Sequence, residues 1–130
     1  MRNSEFTLHV TARENRAFSN IRERFSERVI RLLHASTGLN TEAGEFADAM
    51  KKHIFYGTPL DDINLIEELG DILWYIHLAA DELNVSIEEI MDVNNKKLTA
   101  RYGTVFSKEK ATERDLDTER EILENVHHPE

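Results

Sequence analysis

The chain has 130 residues, 40% of them hydrophobic and 32% charged, with a formal net charge of −9 at pH 7. That length suits one domain that hides roughly two-thirds of its unfolded surface, enough for a real core. The acidity argues against a nucleic-acid polymer as partner, since such affinity rests on Lys and Arg neutralising phosphates. With no cysteine, disulfides, zinc–thiolate sites and thiol nucleophiles are excluded. The opening Met1-Arg2-Asn3-Ser4-Glu5-Phe6 lacks the apolar run of a signal peptide. The greasiest stretch, residues 72–80, contains His77 and falls far short of the ~20 residues a membrane span needs. A cytoplasmic protein with no membrane association is the expectation.

Residues 1–25 form a weakly patterned arm in which Phe6, Leu8, Val10 and Phe18 fit either a strand or a helix. A helical period then sets in. Phe25, Val29, Leu32, Leu33, Ser36, Leu39, Ala43, Phe46, Ala47 and Met50 recur at three and four, which predicts a helix from about Ser26 to Phe55. A bend near Gly38 and a stop at Gly57 are expected. Thr58-Pro59-Leu60-Asp61 reads as a turn, with Asp61 or Asp62 capping the next helix. That helix runs to about Leu83 on Leu65, Ile66, Leu69, Ile72, Leu73, Ile76 and Ala80. Ser86-Ile87-Glu88-Glu89 has the form of a capping box, with Val85 and Ile90 as its staple. It opens a helix to about Arg101, which Gly103 ends. Residues 108–126 carry one amphipathic helix (Leu116, Ile122, Leu123, Val126) before a loose end. The expected architecture is a single all-α domain spanning 1–130, a helical bundle of four to five helices. Its core helices occupy about 26–102 and its tail about 103–130. The 27–55 and 63–83 helices hold more apolar positions than one small bundle covers, so a homo-oligomer is expected.

Two acidic couplets stand out, Glu42-Ala43-Gly44-Glu45 and Glu68-Leu69-Gly70-Asp71, with 22 residues between Glu45 and Glu68. Residues three apart share a helix face, so each couplet aims two carboxylates the same way. Antiparallel helices would bring all four together, a costly arrangement unless a cation sits among them. Oxygen-only donors suit a hard ion, Mg2+ or Mn2+. Gly44 and Gly70 precede the second acid of each couplet, although a mid-helix glycine costs about 1 kcal/mol relative to alanine. The functional reading is a close approach that lets the acids share ions; the plain one is tight packing. Lys52, seven residues after Glu45, reads equally as a phosphate contact or a surface lysine. Asn94, Lys97 and Arg101 line one stripe of their helix, followed by Tyr102. An amide, an ammonium and a guanidinium there form either an anion cradle or a basic solvated face near a helix C-terminus. Asn64, four before Glu68, orients a ligand or a carboxylate. Trp74, Tyr75 and His34 either face a base or fill the core. Glu124-x-x-His127 has the form of a di-iron ligand pair but occurs once, where such centres need two copies.

The runs Leu33 to Glu45, Glu67 to Tyr75 and Asn94-x-x-Lys97-Leu98-x-x-Arg101-Tyr102 resemble the MazG-like branch of the all-α nucleoside triphosphate pyrophosphatases. The shared signature is ExxE, a spacer, then ExxD. The resemblance covers about residues 29–124, and its last part, Ala111 to Asp115 and Glu119 to Leu123, looks like the short phage-type members. It implies metal-dependent hydrolysis of a (deoxy)nucleoside triphosphate to monophosphate and pyrophosphate, with deoxynucleotides favoured and dGTP a candidate. By the same resemblance Glu42, Glu45, Glu68 and Asp71 would bind Mg2+ or Mn2+ and carry catalysis. Asn94, Lys97, Arg101 and Tyr102 would hold phosphates, and a homodimer or homotetramer is implied. The rivals are a non-catalytic helical interaction or regulatory protein, and a related pyrophosphatase acting on dUTP or phosphoribosyl-ATP.

Overall fold

The computed structural model describes residues 2–124; Val126, the loose end and His127 of the Glu124-x-x-His127 pattern lie outside them. Among the described residues the fold is all-α, without strands. The helices are α1 (Asn3–Arg13), α2 (Phe18–Glu23), α3 (Glu27–Tyr56), α4 (Asp62–Leu83), α5 (Ile87–Tyr102), α6 (Lys108–Thr112) and α7 (Leu116–Glu124). Their ends follow local chemistry. Ser26 Oγ accepts the Val29 amide, and Gly57 closes α3 in the left-handed region at φ 70°, where a glycine carries no Cβ penalty. Asp61 accepts the amides of Ile63 and Asn64 at 3.0 and 3.3 Å. Ser86 and Glu89 form the reciprocal capping box.

The helices bear on the sequence reading at three points. Residues 3–13 are helical, settling the question that alternation left open. Helix α3 runs through Gly38 as one 30-residue element. The segment after residue 107 carries two helices instead of one. Ser107 caps α6, while the Asp115 side chain accepts from the Thr118 amide and hydroxyl at the start of α7.

Helices α3 and α4 pair most densely, and α5 packs on α7 and α6. Two clasps fix an antiparallel register between α3 and α4. Arg31 reaches Asp81 and Glu82, both at 2.7 Å, and Tyr75 lies against Gly38. A Cβ on Gly38 would stand 2.2 Å from the Tyr75 ring, so only glycine admits that ring. Gly44 and Gly70 behave otherwise: a Cβ on either meets nothing within 4 Å. The expected close approach at those two glycines is therefore absent from this chain, because they lie off the shared face, and it occurs a turn and a half earlier.

Ala35 and Ala80 are the only buried apolar side chains described. Helix α4 has two apolar faces. Leu65, Ile72, Ile76 and Ala80 turn inward, while Ile66, Leu69 and Leu73 remain 68%, 49% and 52% exposed. The accessible surface is 10696 Å², against roughly 7,100 Å² for a compact monomer of this mass. Part of the excess belongs to α1 and α2, which pack on no other helix to a comparable degree. None of the helices among the described residues is long and apolar enough to cross a membrane.

Candidate metal centre

The antiparallel register sets Glu42 of α3 opposite Glu68 and Asp71 of α4, whose i, i+3 spacing keeps them on one face. One carboxylate oxygen from each of the three lies within 4.8 Å of the others. Glu68 is buried, Glu42 half-buried and Asp71 exposed, so the cluster sits at the lip of the helix pair with its deepest ligand anchored below. The anchor is Asn64, one turn earlier on α4, whose Nδ2 donates to Glu68 Oε1 at 3.0 Å. The Thr41 hydroxyl donates to Glu42 Oε1 at 3.3 Å and to the Gly38 carbonyl at 2.8 Å. Three converging carboxylates with no lysine or arginine ion-paired to them among the described residues are the donor set of a hard divalent cation. The residues present fit such an ion. The arrangement is consistent with a metal-dependent hydrolytic site.

Hollows open on both sides of the trio. Glu42 and Asp71 share one of about 310 Å³ with Trp74 and Tyr75. His34, Trp74 and Tyr75 meet edge to face, with ring centroids 4.9–6.3 Å apart. Trp74 is 57% exposed and so presents its ring to solvent, whereas Tyr75 is half-buried on Gly38. On the other side Glu68 lines a cleft of about 580 Å³ with Glu45, Asn64, Asp48, Lys52 and the turn Thr58 to Asp61. Glu45, the fourth acid of the signature, belongs to this cleft wall and not to the trio. Lys52 pairs with Asp48 at 2.7 Å. Hydrogen bonds from Lys51 and then Lys52 hold the Asp48 carboxyl down at about 2.

Members of the expected anion cradle on α5 line other hollows. Asn94 and Lys97 line a groove of about 300 Å³ with Val85, Ile90, Val93 and Leu123. Arg101 turns to α7, where its Nε donates to Glu119 Oε1 at 2.7 Å and its Nη2 to Oε2. Arg114 grips the same carboxylate, Nη2 to Oε2 at 2.6 Å. Hydrogen bonds from Arg101 and then Arg114 hold the Glu119 carboxyl down at about 2. Tyr102 lies beside the Arg101 guanidinium, 5.5 Å from its ring centroid to Cζ, and against Phe106 at 5.4 Å. Sequence reasoning singled out Arg101 but missed Arg114 and Glu119. Their five-residue spacing spans the break at Asp115, so no helical period links them.

Residues 33–106 match the MazG nucleotide pyrophosphohydrolase domain. The chain is 34% identical over 73 residues to YvdC of Bacillus subtilis strain 168, a protein named as uncharacterized, across 49% of this chain and 69% of that one. It is 33% identical over 76 residues to the Gene 37 protein of Mycobacterium phage L5, across 54% of this chain and 65% of that one. No solved structure matches it. Because the domain match takes in more than half of the chain and contains all four acids of the two couplets, the chain belongs to the MazG nucleotide pyrophosphohydrolase family.

Proposed function

We propose that this chain, as a single domain, hydrolyses a nucleoside triphosphate, with deoxynucleotides such as dGTP preferred, to the monophosphate and pyrophosphate. The observation that carries the reading is the convergence of Glu42, Glu68 and Asp71 within 4.8 Å inside the domain match. These three would hold Mg2+ or Mn2+. Such an ion lowers the pKa of a water and offsets the charge that grows on departing pyrophosphate.

The remaining work falls to side chains of the protein. Asn64 keeps one Glu68 oxygen aimed, as partners of metal ligands commonly do. Glu45, outside the trio yet on the adjoining cleft wall, would take the proton of the attacking water. Trp74 offers an open ring for a base, with His34 at its edge. Lys52 is tied to Asp48 and serves the cleft wall better than a phosphate.

Asn94, Lys97, Arg101 and Tyr102 would hold the phosphates. Asn94, Lys97 and Arg101 line hollows in which Glu42, Glu45, Glu68 and Asp71 take no part, which supports a site completed by a second copy. The bare Ile66–Leu69–Leu73 face and the surface excess support the same homo-oligomer, a dimer or tetramer. The phage relative supports placement among the short phage-type members.

The test is incubation with Mg2+ and a panel of ribo- and deoxynucleoside triphosphates, dUTP and phosphoribosyl-ATP included, with products identified. Pyrophosphate and a deoxynucleoside monophosphate are expected. Turnover confined to dUTP or phosphoribosyl-ATP would assign a related pyrophosphatase, and no turnover of any substrate would favour a helical interaction protein.

A further inference from the structure

The α5–α7 junction holds the most elaborate polar contact among the described residues, and the hydrolysis scheme leaves part of it unused. Glu119 is 5% exposed and accepts from both guanidiniums on both of its oxygens. Arg101 is spent along one edge: Nε and Nη2 face the carboxylate, so the Nη1 end is not engaged by Glu119. A bidentate pair fixes the plane of a guanidinium as well as its position. The node also joins elements distant in sequence, since Arg101 and Glu119 stand 18 residues apart.

Stability alone is a weak reason for such a node, because apolar side chains of similar size commonly serve a buried site as well or better. Its position points elsewhere. Arg101 follows Lys97 by one helical turn on α5, and Lys97 makes no ion pair among the described residues. Glu113 and Asp115 line the same hollow as Arg101 and Glu119, and Asp115 accepts from the Thr118 amide and hydroxyl. A long side chain frozen in advance also loses less entropy when it grips an anion.

We propose that Glu119, clamped from its far side by Arg114, is a positioning residue that presets Arg101 for a phosphate group of the substrate. This rests on the triphosphate reading above, in which α5 supplies the phosphate contacts. Glu119 touches neither substrate nor metal; it acts through Arg101. Removing its charge therefore weakens phosphate capture and leaves the acid trio untouched.

The test reads Glu119→Gln and Glu119→Asp in the full-length protein by three measurements: KM and kcat for pyrophosphate release, calorimetric binding of inorganic tripolyphosphate with Mg2+, and the melting shift caused by Mg2+ alone. Wild type binds tripolyphosphate. Glu119→Gln is expected to raise KM and weaken that binding about tenfold, with kcat within about threefold and the Mg2+ shift unchanged. Glu119→Asp recovers part of the loss. A folded Glu119→Gln protein with unchanged KM and tripolyphosphate affinity overturns the proposal, as does a loss confined to kcat. Should Glu119→Gln fail to fold, Arg114→Gln takes its place, since it keeps the Arg101–Glu119 pair but removes the outer clamp. A severalfold rise in KM and in tripolyphosphate dissociation constant supports the role, and no change in either overturns it. A wild type that binds tripolyphosphate but turns over no nucleotide sinks the hydrolase reading and leaves the role of Glu119 to the binding arm alone. A wild type that fails to bind tripolyphosphate overturns it.

Discussion

The chain gathers charge in two places and treats it in opposite ways. At the α3–α4 pair, Glu42, Glu68 and Asp71 converge with one amide, from Asn64, on the buried member. At the α5–α7 junction, a single buried carboxylate meets two guanidiniums. In the second cluster the carboxylate is balanced by the protein itself. The first is balanced by nothing among the described residues, so its counter-charge must come from solution. A bound cation relieves such repulsion, and this contrast separates a candidate metal site from a paired carboxylate more sharply than acidity alone.

The largest expected effect strikes the unbalanced cluster. Asp71→Asn or Glu68→Gln should cut turnover at least about a hundredfold while leaving the metal-free protein as stable as wild type or slightly more so. Steady-state pyrophosphate release and melting curves in chelator check both halves. Turnover retained in Asp71→Asn would mean the ligands are misassigned. Next comes the support of that cluster: Asn64→Ala should lower metal affinity about 10- to 100-fold, read by titrating activity against Mg2+.

The glycines give a smaller, two-signed effect. Gly38→Ala drives a Cβ into the Tyr75 ring and should cost about 1–3 kcal/mol in urea unfolding. Gly44→Ala and Gly70→Ala meet open space and should gain up to about 1 kcal/mol each from helix propensity. Destabilisation at either would show that a second copy covers that face.

The smallest effect belongs to the balanced cluster and to pH. Glu119 titrates at about 2 in the fold, against 4.5 ordinarily. A depressed carboxyl contributes stability that is fully present above its unfolded pKa and is lost as pH falls through the folded one. The melting difference between wild type and Glu119→Gln should therefore be constant above about pH 5, shrink below 4.5 and vanish near 2. A difference that persists at pH 2 would contradict the ion-pair account.

Much of this was legible from the chain. Caps announce themselves locally, which is why Gly57, Asp61 and the Ser86–Glu89 box were all readable. The convergence of Glu42, Glu68 and Asp71 was readable too, because each couplet shares a face and a five-residue turn forces the helices antiparallel. Periodicity gives the angle between side chains on one helix but not which angle meets the neighbour. Gly44 and Gly70 were misread for that reason, and the Gly38–Tyr75 contact, 37 residues apart, was invisible without the register. The same gap hid the tie between Arg101 and Glu119, where two helix breaks intervene.

The central claim is that Glu42, Glu68 and Asp71 together hold a divalent ion. Direct titration of the chain with Mn2+, followed by its paramagnetic signal, tests this without reference to any substrate. Saturable binding at millimolar ion or below, with a rise in melting temperature and loss of both in Asp71→Asn, is the predicted result. Binding of equal strength in wild type and Asp71→Asn, or none in either, would contradict it.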